Sequence, residues 1–115
     1  MQADSIAFDA YGTAEISERH RHRYEFNREY EEILTGARLC ITGATPDATY
    51  VEIVELPRAE HPYFLGCQFH PEFKSKPLEA HPLFKAFVGA AYENRADKRS
   101  RQESASQEIF LRTRR

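Results

Sequence analysis

The stretch Gly66-Cys67-Gln68-Phe69-His70-Pro71-Glu72-Phe73 closes a short apolar run that begins at Tyr63. A run of this kind that is ended by Pro71 is typical of a buried β-strand followed by a stiff exit turn. His70 and Glu72 are separated by one residue, so in an extended chain both side chains project from the same face. A carboxylate beside an imidazole fixes the tautomer of the ring and stabilises its charged form. The stretch therefore predicts either a surface ion pair at a strand end or a catalytic base with its orienting carboxylate.

The residues around this strand predict a small fold of the mixed α/β class. Strand-like apolar runs occur at 37–42, 50–56 and 63–69. The connections between them are too short for a parallel crossover, so we expect an antiparallel three-stranded segment. Residues 1–16 are weakly patterned, and Ala10-Tyr11-Gly12-Thr13 is predicted to be a turn or short connector.

Two helices are predicted beside the sheet. The first spans about residues 28–35, with Asn27 as its N-cap and Gly36 as the glycine that follows its last turn. The second begins at His81-Pro82, because proline suits the first position of a helix. Its apolar stripe is expected to pack on the sheet and consists of Leu83, Phe84, Phe87, Val88 and Ala91. Three strands and two helices make a thin core, which indicates that a further part of the fold is missing.

The C-terminal residues lose the apolar period. Residues 95–106 are charged and polar, which predicts a disordered segment. Ile109-Phe110-Leu111 is the apolar group near the end, and it is expected to be free. The sequence thus divides into a folded part, residues 1–92, and a disordered polar tail, residues 93–115.

The composition excludes several classes of protein. A length of 115 residues allows one modest domain, and 41% hydrophobic with 30% charged residues is typical of soluble globular proteins. A net charge of −2 gives no overall attraction for nucleic acid. No apolar run approaches the length of a membrane span, and no signal peptide is recognisable. Cys40 and Cys67 lie in strand-like runs and are expected to be buried reduced thiols, which favours a cytoplasmic location.

An alternation of arginine and histidine precedes the first predicted helix: Arg19-His20-Arg21-His22-Arg23-Tyr24. Three interpretations are open: a solvated charged face, a contact with phosphate or nucleic acid, and an anion clamp. Nucleic-acid binding is disfavoured because acidic residues flank the alternation and no basic groove with aromatic stacking partners accompanies it. In an anion clamp, one guanidinium holds a carboxylate in a bidentate fork. Arg23 is the candidate for that role, because the apolar pattern resumes beside it.

The cysteines and histidines do not predict a metal site. Cys67 and His70 have a spacing that zinc ligands use, but no second pair follows at ligand spacing. Neither cysteine is expected to be a nucleophile, because an activated thiolate requires a helix N-terminus or a sharp exposed turn. The residues therefore offer a base and its orienting group without a nucleophile.

Gln68-Phe69-His70-Pro71-Glu72 resembles the motif that carries the histidine and glutamate of the catalytic triad in class I glutamine amidotransferases. The stretch from Glu18 to Asn27 resembles the corresponding segment of the CTP synthase family. Further matches at the family spacing are Val51-Glu52-Ile53-Val54-Glu55, His61-Pro62-Tyr63-Phe64 and His81-Pro82-Leu83-Phe84. The resemblance implies a partial class I amidotransferase fold, the C-terminal portion of such a domain.

The resemblance also implies a function. In that family, a synthetase domain uses ATP and Mg²⁺ to activate UTP, and the amidotransferase domain hydrolyses glutamine and passes ammonia across to give CTP. It implies that His70 is the general base and acid for a cysteine, Glu72 its orienting carboxylate and Arg23 a binder of glutamine. It implies no cofactor in this segment. The implied partners are L-glutamine and the rest of the synthase polypeptide in a homo-oligomer, without nucleic acid or membrane.

The chain departs from the family pattern in what it lacks. The family nucleophile lies on a glycine-flanked strand-to-helix elbow, and the oxyanion hole is formed by a separate glycine-rich loop. Neither motif occurs in this sequence, and the phosphate-binding loop of the synthetase domain does not occur either. We therefore predict that this chain alone does not hydrolyse glutamine. The alternative hypothesis is a non-catalytic module that docks on a full-length synthase or on a nucleophile-bearing half.

Overall fold

The structure, a computed structural model, describes residues 1–21 and 23–113, with side chains as far as residue 103. Its helices and strands are, in chain order, α1 (Ile6–Tyr11), α2 (Glu31–Gly36), β1 (Cys40–Ala44), β2 (Val51–Glu55), β3 (Leu65–Cys67) and α3 (Pro82–Thr113). Short 3₁₀ turns precede α2 and follow β3, at Arg28–Tyr30 and Pro71–Phe73. The prediction of a mixed α/β fold is confirmed.

The three strands form an antiparallel meander in the order β1-β2-β3, as predicted. On β2, Ile53 is opposite Cys67 and Glu55 is opposite Leu65. The pairing extends beyond β3, because Gln68 donates its main-chain N–H to the carbonyl of Glu52 at 2.9 Å. The strand that leads to His70 is therefore held along its length by the central strand.

Residues 1–16 contain a helix that the sequence analysis missed. Ser5 caps the N-terminus of α1 by accepting the N–H of Phe8, and Gly12 ends the helix at a φ of 75°. Both are ordinary capping residues. A helix of six residues is too short to show the periodic spacing of apolar residues from which helices are predicted, so α1 could not be recognised in this way. Ala10 and Tyr11, predicted to lie in a turn, are its last two residues.

The predicted cap at Asn27 is confirmed, but the first three residues of the predicted helix form a 3₁₀ turn, and α2 begins at Glu31 and ends at Gly36. The side chain of Asn27 accepts the N–H of Glu29, which caps the 3₁₀ turn that leads into α2. Gly36 lies inside the helix, and the left-handed conformation is taken two residues later by Arg38, at a φ of 76°. Because the chain reverses at Arg38, β1 begins at Cys40 rather than at residue 37.

The core is small and lies between α1, β2 and the start of α3. It consists of Ala7, Ile53, Phe69 and Leu83, each at most 5% exposed. Of the stripe predicted to pack on the sheet, Leu83 is buried, while the other four residues are exposed. The prediction fails because α3 packs against α1, so that only its first turn reaches the core.

α3 continues to Thr113, where the sequence analysis predicted a disordered tail from residue 93. Residues 93–113 contain no Gly or Pro and are rich in Arg, Glu, Gln and Ala, which favour helix. Local propensity therefore extends the helix beyond residue 92. Ile109-Phe110-Leu111, predicted to be free, has side chains outside the described residues. Residues 114–115 of the predicted tail lie outside the described residues. In the described part of the chain, no helix is both long enough and apolar enough to cross a membrane.

Candidate active site

His70 and Glu72 meet at the turn that follows β3. Phe69, which is 5% exposed, fixes the end of the strand in the core, and Pro71 opens the 3₁₀ turn. The turn brings Nδ1 of His70 to 2.6 Å from Oε1 of Glu72. Phe73 stacks on the imidazole, with ring centroids 5.1 Å apart. The two side chains are 34% and 54% exposed, so the pair lies at the surface and is open to a ligand.

The second ring nitrogen of His70 faces a main-chain carbonyl. Nε2 lies 2.8 Å from the carbonyl oxygen of Arg21, so both ring nitrogens have an acceptor within hydrogen-bond distance. An imidazole that donates from both nitrogens carries a positive charge. The hydrogen bond to Glu72, together with that to the Arg21 carbonyl, raises the pKa of His70. The same contact with His70 lowers the pKa of Glu72.

The arginine-histidine alternation lies alongside this turn. The main-chain N–H of His70 donates to the carbonyl of Arg19 at 2.8 Å, and the side-chain amide of Gln68 donates to the carbonyl of Tyr24. The alternation thus contributes carbonyl oxygens to the site. Arg23, the predicted glutamine binder, is exposed and lies two residues beyond Arg21. His22 of the alternation lies outside the described residues.

The two cysteines are free thiols in strands. Cys67 is half-buried, and its Sγ lies 3.6 Å from the carbonyl of Phe69. Burial, and next the negative charge of Glu18, raise the pKa of Cys67 to about 11. Cys67 is therefore protonated at neutral pH, whereas a nucleophile requires the thiolate. Among the described side chains, residues 1–21 and 23–103, no three His, Cys, Asp or Glu are grouped to hold a metal ion.

A buried cluster beside the site was missed by the sequence analysis. Oε1 of Glu18 accepts hydrogen bonds from the Tyr11 hydroxyl at 2.7 Å and from Nε2 of His81 at 2.6 Å. The side chains of Glu18 and His81 are only 4% and 2% exposed. The sequence carried one signal of this cluster, because Glu18 is an acidic residue at the start of a basic run. Its partner His81 is 63 residues away in sequence, so only the fold brings the cluster together.

A second buried carboxylate, Glu55, was also missed. It is 3% exposed and accepts the N–H groups of Ile6 at 2.7 Å and Ala7 at 3.0 Å, and the hydroxyl of Thr42 at 2.7 Å. Glu55 thereby joins the N-terminus of α1 to the sheet. The alternation of β2 could have revealed it, because Glu55 falls on the same face as the buried Val51 and Ile53.

An open groove of about 850 Å³ runs over the sheet next to these clusters. Its walls include the apolar side chains of Ile16 and Ile53 and the carboxylates of Glu18 and Glu52. Oε2 of each carboxylate is buried and has no hydrogen-bond partner in the part of the chain that the structure describes. Oε2 of Glu52 lies 3.6 Å from Nδ1 of His20. The groove thus combines an apolar wall with two buried carboxylates.

Comparison with known proteins finds similarity over most of the chain. Residues 3–90 match the family described as glutamine amidotransferase class-I. A CTP synthase of Koribacter versatilis (strain Ellin345) is 64% identical over 112 residues, which make up 97% of this chain and 20% of that protein. A CTP synthase of Acidobacterium capsulatum is 77% identical over 94 residues, 82% of this chain and 17% of that protein. The chain spans about a fifth of the length of the curated relatives it matches.

A solved structure shares the fold. The glutaminase domain of Trypanosoma brucei CTPS with bound acivicin is 39% identical and superposes with a TM-score of 0.68. The match covers 80% of this chain and 36% of that chain. The three-stranded sheet and its helices therefore correspond to about a third of a glutaminase domain.

Proposed function

The chain belongs to the class I glutamine amidotransferase family, and on that premise we propose that it supplies the base of a CTP synthase glutaminase site. His70 is the general base and acid, and Glu72 orients it. The observation that carries the proposal is the 2.6 Å contact between Nδ1 of His70 and Oε1 of Glu72. A carboxylate at Nδ1 directs Nε2 toward the reacting groups, as an orienting group does in acyl-transfer sites.

The contact of His70 with Glu72 suits a cysteine nucleophile. A thiol that gives its proton to Nε2 leaves a thiolate beside an imidazolium, and the Glu72 contact stabilises that imidazolium. The thiolate attacks the amide carbon of glutamine, and Nε2–H protonates the leaving ammonia. The neutral imidazole then takes a proton from water, which hydrolyses the thioester to glutamate. The thiolate has to take the place now held at Nε2 by the Arg21 carbonyl.

Arg23 is proposed to bind the carboxylate of the substrate glutamine. Its guanidinium is exposed, and it lies on the same segment as the two carbonyls that contact His70. A guanidinium pairs with a carboxylate through two parallel hydrogen bonds, which fixes orientation as well as position.

The remainder of the reaction requires parts of the protein outside this segment. The nucleophile, the oxyanion hole and the sites for UTP, ATP and Mg²⁺ are assigned to the rest of the synthase polypeptide. The uncovered apolar side chains Ile33, Phe73, Leu78 and Phe87 support contact with that polypeptide. Homo-oligomerisation and a cytoplasmic location stay predictions.

The test uses the full-length polypeptide that carries this segment. In the His70→Ala variant, glutamine-dependent CTP formation should fall at least ~10³-fold, as when one member of a catalytic triad is removed. CTP formation from added ammonia should be unchanged, since ammonia bypasses the glutaminase site. His61→Ala is the matched control, because His61 is an exposed histidine of the loop before β3. A full glutamine-dependent rate in His70→Ala would refute the proposal and favour the non-catalytic docking module.

A further inference from the structure

We propose that Glu18 is a positioning residue for His70, a role that rests on the function proposed above. Glu18 immediately precedes the stretch whose carbonyls meet His70: Arg19 at the main-chain N–H and Arg21 at Nε2. Within the described part of residues 17–24, Glu18 is the one side chain that is not exposed. The segment is therefore anchored in the protein interior through this carboxylate.

The two donors of Glu18 are fixed by their own surroundings. Leu83 donates its N–H to Nδ1 of His81 at 3.1 Å, so Nδ1 carries no proton and Nε2 carries one. The Nε2–H of His81 therefore donates to Oε1 of Glu18. Burial, and next the hydrogen bond to Glu18, raise the pKa of Tyr11, which keeps its hydroxyl protonated as a donor. Hydrogen bonds to a buried carboxylate are among the stronger ones in proteins.

The cluster joins three separate parts of the chain. Tyr11 ends α1, His81 immediately precedes α3, and Glu18 starts the segment beside the active site. Both helices contribute to the core, so Glu18 is held by rigid elements. From Glu18 the chain needs only three more residues to place the Arg21 carbonyl 2.8 Å from Nε2. Loss of the hydrogen bonds that hold Glu18 should therefore displace the Arg21 carbonyl from Nε2 of His70.

The consequence for His70 is specific. The charged groups that face its ring are Glu72, at Nδ1, and the guanidinium of Arg21. The Glu72 contact lies within one turn and does not depend on the anchor. The Arg21 carbonyl does depend on it, and that hydrogen bond is the second cause of the raised pKa of His70. A freed segment should lower the pKa of His70 while the protein stays folded.

The experiment follows the imidazole of His70 by NMR during a pH titration of the 115-residue chain. The signal is assigned by its absence in His70→Ala. Tyr11→Phe removes one hydroxyl that donates 2.7 Å to buried Glu18, and Glu18→Gln removes the charge itself. Thr42→Val is the matched control, since it removes one hydroxyl that donates 2.7 Å to buried Glu55, away from the segment.

The expected result is a lower pKa of His70 in Glu18→Gln, a smaller fall in Tyr11→Phe and no change in Thr42→Val. An unchanged His70 titration in Glu18→Gln, or an equal fall in Thr42→Val, would overturn the proposal. If Glu18→Gln fails to fold, Tyr11→Phe decides by the same criteria. In the full-length polypeptide, Glu18→Gln should lower kcat for glutamine hydrolysis ~10- to 100-fold, because the Arg19 carbonyl that holds the main-chain N–H of His70 depends on the same anchor. The titration needs no activity, so a failed glutaminase role and a failed positioning role give different results.

Discussion

Replacing the buried carboxylate of Glu55 should measurably destabilise the fold. Oε1 accepts the N–H of Ile6, while Oε2 accepts both the N–H of Ala7 and the hydroxyl of Thr42. In Glu55→Gln, one oxygen becomes an NH₂ group, which leaves at least one buried N–H without an acceptor. An unsatisfied buried donor costs ~1–3 kcal/mol, and the remaining hydrogen bonds lose the share that comes from the charge. We expect the free energy of unfolding to fall by about 3 kcal/mol, the sum of these two losses.

The assay is urea denaturation followed by far-UV circular dichroism and tyrosine fluorescence. A loss of this size lowers the urea midpoint by ~1–3 M at the slope usual for a small domain. Amide hydrogen exchange gives a local reading, because the N–H groups of Ile6 and Ala7 should lose their protection. Glu60→Gln is the control, since Glu60 pairs with Arg38 at the surface and should cost less than ~1 kcal/mol. A midpoint in Glu55→Gln equal to that of Glu60→Gln would refute the reasoning.

Three further predictions concern the site and the C-terminal helix. Because the pKa of His70 is raised, its contribution to stability is complete below pH 6.5 and is lost as the pH rises through the raised pKa. Because the pKa of Glu72 is lowered, its contribution is complete above pH 4.5 and is lost as the pH falls through the lowered pKa. The difference in Tm between wild type and Glu72→Gln should therefore be largest between pH 4.5 and pH 6.5. A difference in Tm that does not change with pH would contradict the ion pair. Cys67, with a pKa of about 11, should react with iodoacetamide at neutral pH far more slowly than free cysteine, as followed by mass spectrometry; a rate equal to that of free cysteine would contradict its burial. Removal of residues 93–115 should reduce the helical circular-dichroism signal and leave the free energy of unfolding within ~0.5 kcal/mol of wild type, because the core residues all precede residue 93. A larger loss would show that this part of α3 packs.

Local chemistry explains which parts of the fold could be predicted. The antiparallel strands follow from their short connections, and the cap at Asn27 and the start of α3 at Pro82 follow from one or two residues each. α1 escaped prediction because the N–H groups at its start are held by Glu55, from a strand about 50 residues later. The packing of α3 on α1 was not predicted either, because α1 itself was not predicted and so was not considered as a partner for α3.

The sequence by itself determined the pairing of His70 with Glu72, because one intervening proline brings the two side chains to the same side of a turn. It also determined the family, through motifs that need no structure to recognise. The tertiary structure alone decided that Glu18 is buried against His81, and that the arginine segment meets His70 through the carbonyls of Arg19 and Arg21. A main-chain carbonyl is the same in every residue, so no residue pattern indicates which carbonyl will face the imidazole, and that depends on how the chain packs.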